Sequence, residues 1–311
     1  MLRNFPVGNS RELIIFPLRR KVDRTFNRKK LYTNTLAKIN GKSELQKKIV
    51  ILYKYRNWSD NYHKNILTEN EIFMASPGSF NDPFDCRIPE NYHLLNTQDK
   101  VDQFMEYIES KHQEKLNKLT KSEIKKISDN FKKRFKNPQE VQQNHENHFF
   151  KQTNDCYGIL SLSKKWNSLL MWSHYGNNHK GFCIGFNEDR MRNSNLFGAG
   201  FEVNYSTKFP ERNPLKKLEP IQDAFLQLGH KSVEWEYEEE FRLINLKLEG
   251  LTKKDRTIKY PDEFISEIIL GTEISDNDKT EILKICNLKK IKVFQLSREP
   301  FMFKLKRELI K

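Results

Sequence analysis

The stretch Gly158–Phe186, GILSLSKKWNSLLMWSHYGNNHKGFCIGF, decides how the chain is read. An apolar run ends in Ser-x-Ser, a Trp/His/Tyr-rich segment with helical spacing follows, and a glycine launches a second apolar run. That order predicts strand, helix, strand. Side chains alternate along a strand, so Ser161 and Ser163 share one face and both hydroxyls can serve one cleft. Two serines at a strand end are also ordinary turn formers, so the pair gains weight only from what the rest of the chain places beside it.

Working outward, IVILYKYRNW (Ile49–Trp58) is a β-rich aromatic run that begins the folded part, and a short helix capped by Ser59 or Asp60 leads to a small strand in EIFMAS. The loop PGSFNDPFDC is rigid and turn-rich, a costly place for Phe80 and Phe84 unless they pack beneath it. Its Asn81, Asp82 and Asp85 read either as a substrate loop or as Asx-Pro scaffold. From Leu94 to Lys151 the composition shifts to Lys, Glu, Gln and Asn, with apolar residues at helical spacing, which predicts two amphipathic helices forming an inserted hairpin. A partner-binding surface is the alternative for this segment. Downstream, FEVNYS reads as a strand, PIQDAFLQLGHKSVEW as a helix, EFRLINLK as a strand, FISEIILG as an apolar run, DNDKTEILKICN as a helix and IKVFQLS as a last strand. Strands make the core and helices come from the insertion and the edge, so the expected fold is α+β with a mixed or antiparallel core. The expected organisation is a basic arm over 1–48, an α+β domain over 49–300 with the helical insertion at 94–151, and a basic tail over 301–311.

With 311 residues and 37% hydrophobic content the chain has enough apolar material for one substantial core or two smaller ones. The cysteines, Cys86, Cys156, Cys183 and Cys286, form no CxxC pair, which signals neither a disulfide framework nor a zinc site. His174 and His179 are five apart and lack the spacing of a zinc helix, so no metal is expected there. No apolar run approaches the roughly 18 residues needed to span a bilayer, and no hydrophobic signal core opens the chain. The expectation is a soluble cytoplasmic protein with no membrane partner. Of the net charge of +14, ten units fall in the first 50 residues, where thirteen Lys and Arg face Glu12, Asp23 and Glu44. Such a segment suits sequence-blind, salt-dependent attraction to nucleic acid, with a solubilising tail, an anionic-lipid contact or a transit peptide as competing readings.

In EWEYEEEFRLI, Glu238 and Glu240 lie on one face of a predicted strand or its entry, beside Trp235 and Tyr237. Repulsion among three consecutive glutamates favours pairing of at least one, with Arg242 or with a ligand.

The combination of LYKYR, FNDPFD, LMWSHYGNNHKGFCIGF and WEYEEEFRLI resembles the bacterial family known as domain of unknown function 2971, over about Ile49 to Ser297. That label carries no activity. The order of motifs is also similar to mono-ADP-ribosyltransferases of the Arg/Ser/Glu type: an arginine on the first core strand (Arg56), a Ser-x-Ser ending a strand before a helix (Ser161, Ser163), and a Glu-x-Glu entering a later strand (Glu238, Glu240). Leu162 stands where a threonine is usual, and the insertion between the first two motifs is long.

That resemblance implies a core like that of those enzymes, NAD as substrate, and roles for each residue. Glu240 would stabilise the oxocarbenium-like state formed as the nicotinamide glycosidic bond breaks, and Glu238 would orient or deprotonate the acceptor. Arg56 would grip a phosphate, Ser161 or Ser163 would fix the ribose or Glu240 itself, and Tyr55, Trp172 or Tyr175 would stack on the nicotinamide ring. His174 would contact phosphate or ribose. The family resemblance implies a setting in bacterial toxicity or phage defence, with a nucleic acid as possible acceptor and a protein as possible regulator. Two other classes compete: a Mg²⁺-dependent nuclease built on Asp82, Asp85 and Glu240, and a non-enzymatic module binding nucleic acid or a partner.

Overall fold

The computed structural model describes residues 50–311, apart from His112, Lys118 and Lys217. The basic arm expected over 1–48 lies outside the described residues. The described strands run in chain order β1 (Ile51–Arg56), β2 (Glu71–Phe73), β3 (Tyr157–Ser163), β4 (Phe182–Asn187), β5 (Ala199–Glu202), β6 (Asn204–Ser206), β7 (His230–Ser232), β8 (Glu240–Leu246), β9 (Thr257–Lys259), β10 (Ile265–Leu270), β11 (Lys292–Arg298) and β12 (Leu305–Leu309). With the helices described below they make an α+β protein. Its described residues divide into two compact units, one of 80–156 with 209–230, the other of 50–79, 157–208 and 231–311.

The larger unit is organised by an eight-stranded sheet in the order β12-β11-β10-β4-β1-β3-β8-β5. Only the β10–β11 pair is parallel; the other pairs are antiparallel. Both faces of the central strands are covered. One face buries Leu52, Leu160, Leu162, Phe182, Ile184, Phe241, Leu243 and Ile268 with Ile66 and Leu67 of the helix Asn61–Thr68 and Ile282 and Cys286 of the helix Asp276–Lys289. The other packs Tyr53, Tyr55, Cys183, Ile269 and Leu296 against Met171 and Trp172 of the helix Leu169–Tyr175. This two-sided burial explains why the central strands read as near-continuous apolar runs.

Local chemistry sets the helix ends. Asp60 caps Asn61–Thr68 by accepting from the amides of Tyr62 and His63. Ser168 caps Leu169–Tyr175 through the Met171 amide, and Gly176 ends it. Asn177, Asn178 and His179 then take left-handed φ values of 50°, 52° and 66°, a conformation asparagine tolerates better than most residues. The turn delivers Gly181 against β1, where an added Cβ would lie 2.1 Å from the Arg56 carbonyl oxygen. Only glycine fits that approach.

The smaller unit is helical. Gln98–Lys111, Lys121–Arg134 and Pro138–Cys156 share a core of Tyr92, Leu95, Val101, Phe104, Met105, Phe131, Phe135 and Val141. Arg212 crosses to it from the second segment, donating to the Ile88 carbonyl at 2.9 Å and forking onto Asp223.

Several expectations are corrected here. The two-helix hairpin gains a 19-residue third helix, Pro138–Cys156; its buried positions include Gln142, His145 and Thr153, polar residues that hide its apolar stripe. The helix expected over PIQDAFLQLGHKSVEW stops at Leu228, where Gly229 caps it, and the rest forms β7 and a 3₁₀ segment, Val233–Glu238. The strand FEVNYS is broken at Val203 into β5 and β6. The C-terminal tail is not a tail: Leu305–Leu309 is the edge strand β12, paired with β11. Phe84 does not pack beneath its loop; it is 65% exposed, with its ring edge toward the exposed Phe209.

Candidate functional site

Strands β1, β3 and β8 lie side by side in the sheet, and they carry the three sequence motifs. Tyr53 pairs with Ser163, and Ser163 with Glu240, so the three residues form one row across the sheet. Directly paired residues in an antiparallel ladder project to the same side, so Ser161, Ser163, Glu240 and Arg242 share the face that the helix Leu169–Tyr175 covers.

The two acids arrive by different routes. Glu240 opens β8, whereas Glu238 ends the 3₁₀ segment, with Glu239 between them in the left-handed region at φ 40°. Of the two expected placements, strand or strand entry, Glu238 takes the entry, and the kink sets it off from β8. The two acids nevertheless converge on Lys231, whose Nζ lies 2.6 Å from Glu238 Oε2 and 3.6 Å from Glu240 Oε2. Each acid is only 4% exposed.

A dense set of polar contacts holds both acids. Arg242, fully buried, donates from Nε to Glu240 Oε1 and from Nη2 to Oε2, both at 2.8 Å. The Ser161 hydroxyl donates to the same carboxylate. The Tyr175 hydroxyl donates to Glu238 Oε1 at 2.7 Å. Ser163 Oγ donates to the Glu238 carbonyl at 2.6 Å and accepts from the Lys165 amide at 3.0 Å. The Glu240 amide donates to the Tyr205 hydroxyl at 2.8 Å. Burial by itself would raise the Glu240 carboxyl, but the charge and hydrogen bonds of Arg242, the charge of Lys231 and the Ser161 hydroxyl outweigh it and hold the group at about 2. Glu240 is therefore a permanent anion at neutral pH, suited to stabilising positive charge and unsuited to carrying a proton.

Beyond the Tyr53–Ser163 pair, β1 and β3 part. The Ser161 carbonyl accepts from Lys54 Nζ at 2.6 Å instead of from a ladder amide. Burial, then the charge of Arg56, pull this lysine well below its usual value, while Glu240 and Glu238 oppose the shift.

The remaining predicted residues separate clearly. Arg56 pairs with Phe182, on the side of the sheet opposite Ser163 and Glu240, and its Nη1 donates to the Tyr55 carbonyl at 3.3 Å. Burial lowers it to about 10, with Asp60 opposing, so it stays charged. It does not join the cluster. Tyr55 and Trp172 are buried and meet edge to face at 5.0 Å, with the Tyr55 hydroxyl on the Lys165 carbonyl and the Trp172 indole on the Trp166 carbonyl. Neither ring has a face open for stacking, so both are core, a correction whose cause is the helix lying directly over β1. Tyr175 is half-buried beside Glu238, and His174 is exposed with its ring 6.1 Å from that of Tyr237.

Sequence reading missed Lys231, Tyr205 and Lys54. Lys231 was hidden inside a segment read as helix, and Tyr205 sits on a separate short strand, so no spacing announced either. Among the described residues no group of three or more His, Cys, Asp or Glu side chains is arranged to hold a metal ion. No described helix is long and apolar enough to cross a membrane.

No curated protein and no solved structure matches the chain. One family profile does, described as "Protein of unknown function (DUF2971)"; it covers residues 171–243, from Met171 of the site helix to Leu243 of β8, and this stretch of the chain is similar to that family.

Proposed function

We propose that the chain is an NAD-dependent mono-ADP-ribosyltransferase. The observation that supports this reading is the convergence of Ser-x-Ser with Glu-x-Glu: Ser163 faces Glu240 across the ladder, and the Ser161 hydroxyl bonds its carboxylate. In the reaction, the bond between nicotinamide and the ribose carbon breaks, and its electron pair leaves on the nicotinamide nitrogen. The positive charge that develops on the ribose faces a fixed anion, Glu240. An acceptor nucleophile then forms the new bond while its proton passes to Glu238. The half-buried Tyr175 and Tyr237 and the exposed His174 supply an aromatic rim beside the acids, a fit for a flat heterocycle. Arg56 lies on the other sheet face, and the cations in contact with the acids are Arg242 and Lys231.

A second reading is favoured by the saturation of Glu240. A carboxylate held by two Arg242 bonds, a serine and a lysine also describes a buried ionic staple that fixes the 3₁₀ segment to the sheet.

Nicotinamide release, followed with NAD alone and with RNA, DNA or cell protein added, separates the two. The transferase reading expects release by the wild type, a severe loss in a folded Glu240→Gln protein, and a smaller loss of turnover in Ser161→Ala, which leaves the ion pair in place. No release by the wild type, or full turnover by folded Glu240→Gln, supports the staple and overturns the transferase.

A further inference from the structure

At the far edge of the sheet, β11 and β12 are joined by a hairpin whose tip is Pro300-Phe301-Met302-Phe303. Phe301 and Phe303 are as exposed as free residues, at 107% and 101%, and Met302 is 61% exposed. The turn is well formed: the Glu299 amide donates to the Lys304 carbonyl at 2.8 Å and the Met302 amide to the Glu299 carbonyl at 3.3 Å. Phe301 sits at φ 60°, a left-handed position that turns ordinarily give to Gly or Asn. The sequence thus accepts both backbone strain and full exposure to present three consecutive apolar side chains. No described residue of the unit covers them. Arg298, Lys304 and Lys306 flank the tip and are exposed; Glu299 is half-buried, and Glu308 lies further down β12.

We propose that this tip docks on an anionic lipid surface, with Phe301, Met302 and Phe303 entering the headgroup boundary and Arg298, Lys304 and Lys306 meeting lipid phosphates. Two observations select this occupant. The apolar residues are contiguous at the apex with the cations one step behind, the layering an interface demands. Base stacking by a nucleic acid would use the two rings and leave Met302 without a role. Surface docking requires no spanning segment, so it is independent of the lack of a membrane-crossing helix among the described residues.

The test is sedimentation of the full chain with vesicles of phosphatidylcholine alone or mixed with phosphatidylglycerol. Binding is expected on the mixed vesicles and weak on the neutral ones. Phe301→Ser with Phe303→Ser should lower partitioning roughly tenfold, and Lys304→Gln with Lys306→Gln should lower it roughly tenfold, with melting temperatures at or above wild type because every altered side chain is exposed. Failure of the wild type to bind overturns the proposal. So does equal binding by the Phe301/Phe303 variant, which would assign the attraction to the overall charge of +14 alone. Loss of affinity for single-stranded RNA in that variant, with vesicle binding intact, would replace the lipid with a nucleic acid.

Discussion

Ser163 stands directly opposite Glu240 in the β3–β8 ladder, and its hydroxyl donates to the carbonyl of Glu238 at 2.6 Å. One small side chain thereby ties the end of β3 to both acids, before and after the kink at Glu239. The lock is buried, so its members are expected to report on both fold and chemistry.

Arg242 neutralises Glu240 from a fully buried position. Arg242→Met should leave the two glutamates with Lys231 as the cation in contact with both, at a cost of about 3–5 kcal/mol. Chemical denaturation checks this, and a change below about 1 kcal/mol would show that the pair is dispensable.

Acid should weaken the fold through Glu240. Its folded value of about 2 lies below the unfolded value of about 4.3, so its contribution is fully present above about pH 5 and is lost as pH falls through 4 toward 2. The amount at stake is on the order of 3 kcal/mol. Denaturation midpoints measured from pH 7 to pH 3 should fall less steeply for Glu240→Gln than for the wild type. Identical pH profiles would contradict the assignment.

Tyr175→Phe removes one hydrogen bond to Glu238 and leaves the Lys231 contact intact. The expected loss of stability is about 1–2 kcal/mol. Under the transferase reading, KM for NAD should also rise, because the ring lies on the rim of the site. An unchanged midpoint together with an unchanged KM would exclude Tyr175 from both roles.

Gly181→Ala would force a Cβ to within 2.1 Å of the Arg56 carbonyl oxygen, a backbone atom that cannot swing aside. A loss of about 3 kcal/mol is expected. Phe301→Asn should act in the opposite direction, raising stability by roughly 0.5–1 kcal/mol by placing a left-handed-tolerant residue at φ 60°. Thermal melts of the two variants should move apart on either side of the wild type.

The amphipathic and apolar patterns of this chain made much of the core legible from sequence. YGILSLS coincides with β3, LLMWSHY forms the helix bounded by Ser168 and Gly176, and the acids of EWEYEEEF enter a strand with Arg242 as partner. Each follows from short-range rules of alternation, capping and charge. The helix Pro138–Cys156 escaped because its buried face carries Gln142, His145 and Thr153, and β12 escaped because Lys and Arg on an edge strand read like a solvated tail.

The sequence alone determined β3, the helix Leu169–Tyr175 and β8 at the site, because those preferences act over a few neighbouring residues. Only the tertiary structure decided which side chains meet. The pairing of β1 with β3 and of β3 with β8 brought Ser161 and Ser163 to Glu240 across some eighty residues of chain, and the parity of β1 carried Arg56 to the opposite face. Lys231 reached both acids because the chain leaves its helix at Gly229 and turns through a 3₁₀ segment. Register and parity are settled by burial of whole strand faces, where a shift of one residue exchanges inside for outside, and that free energy belongs to the assembled sheet.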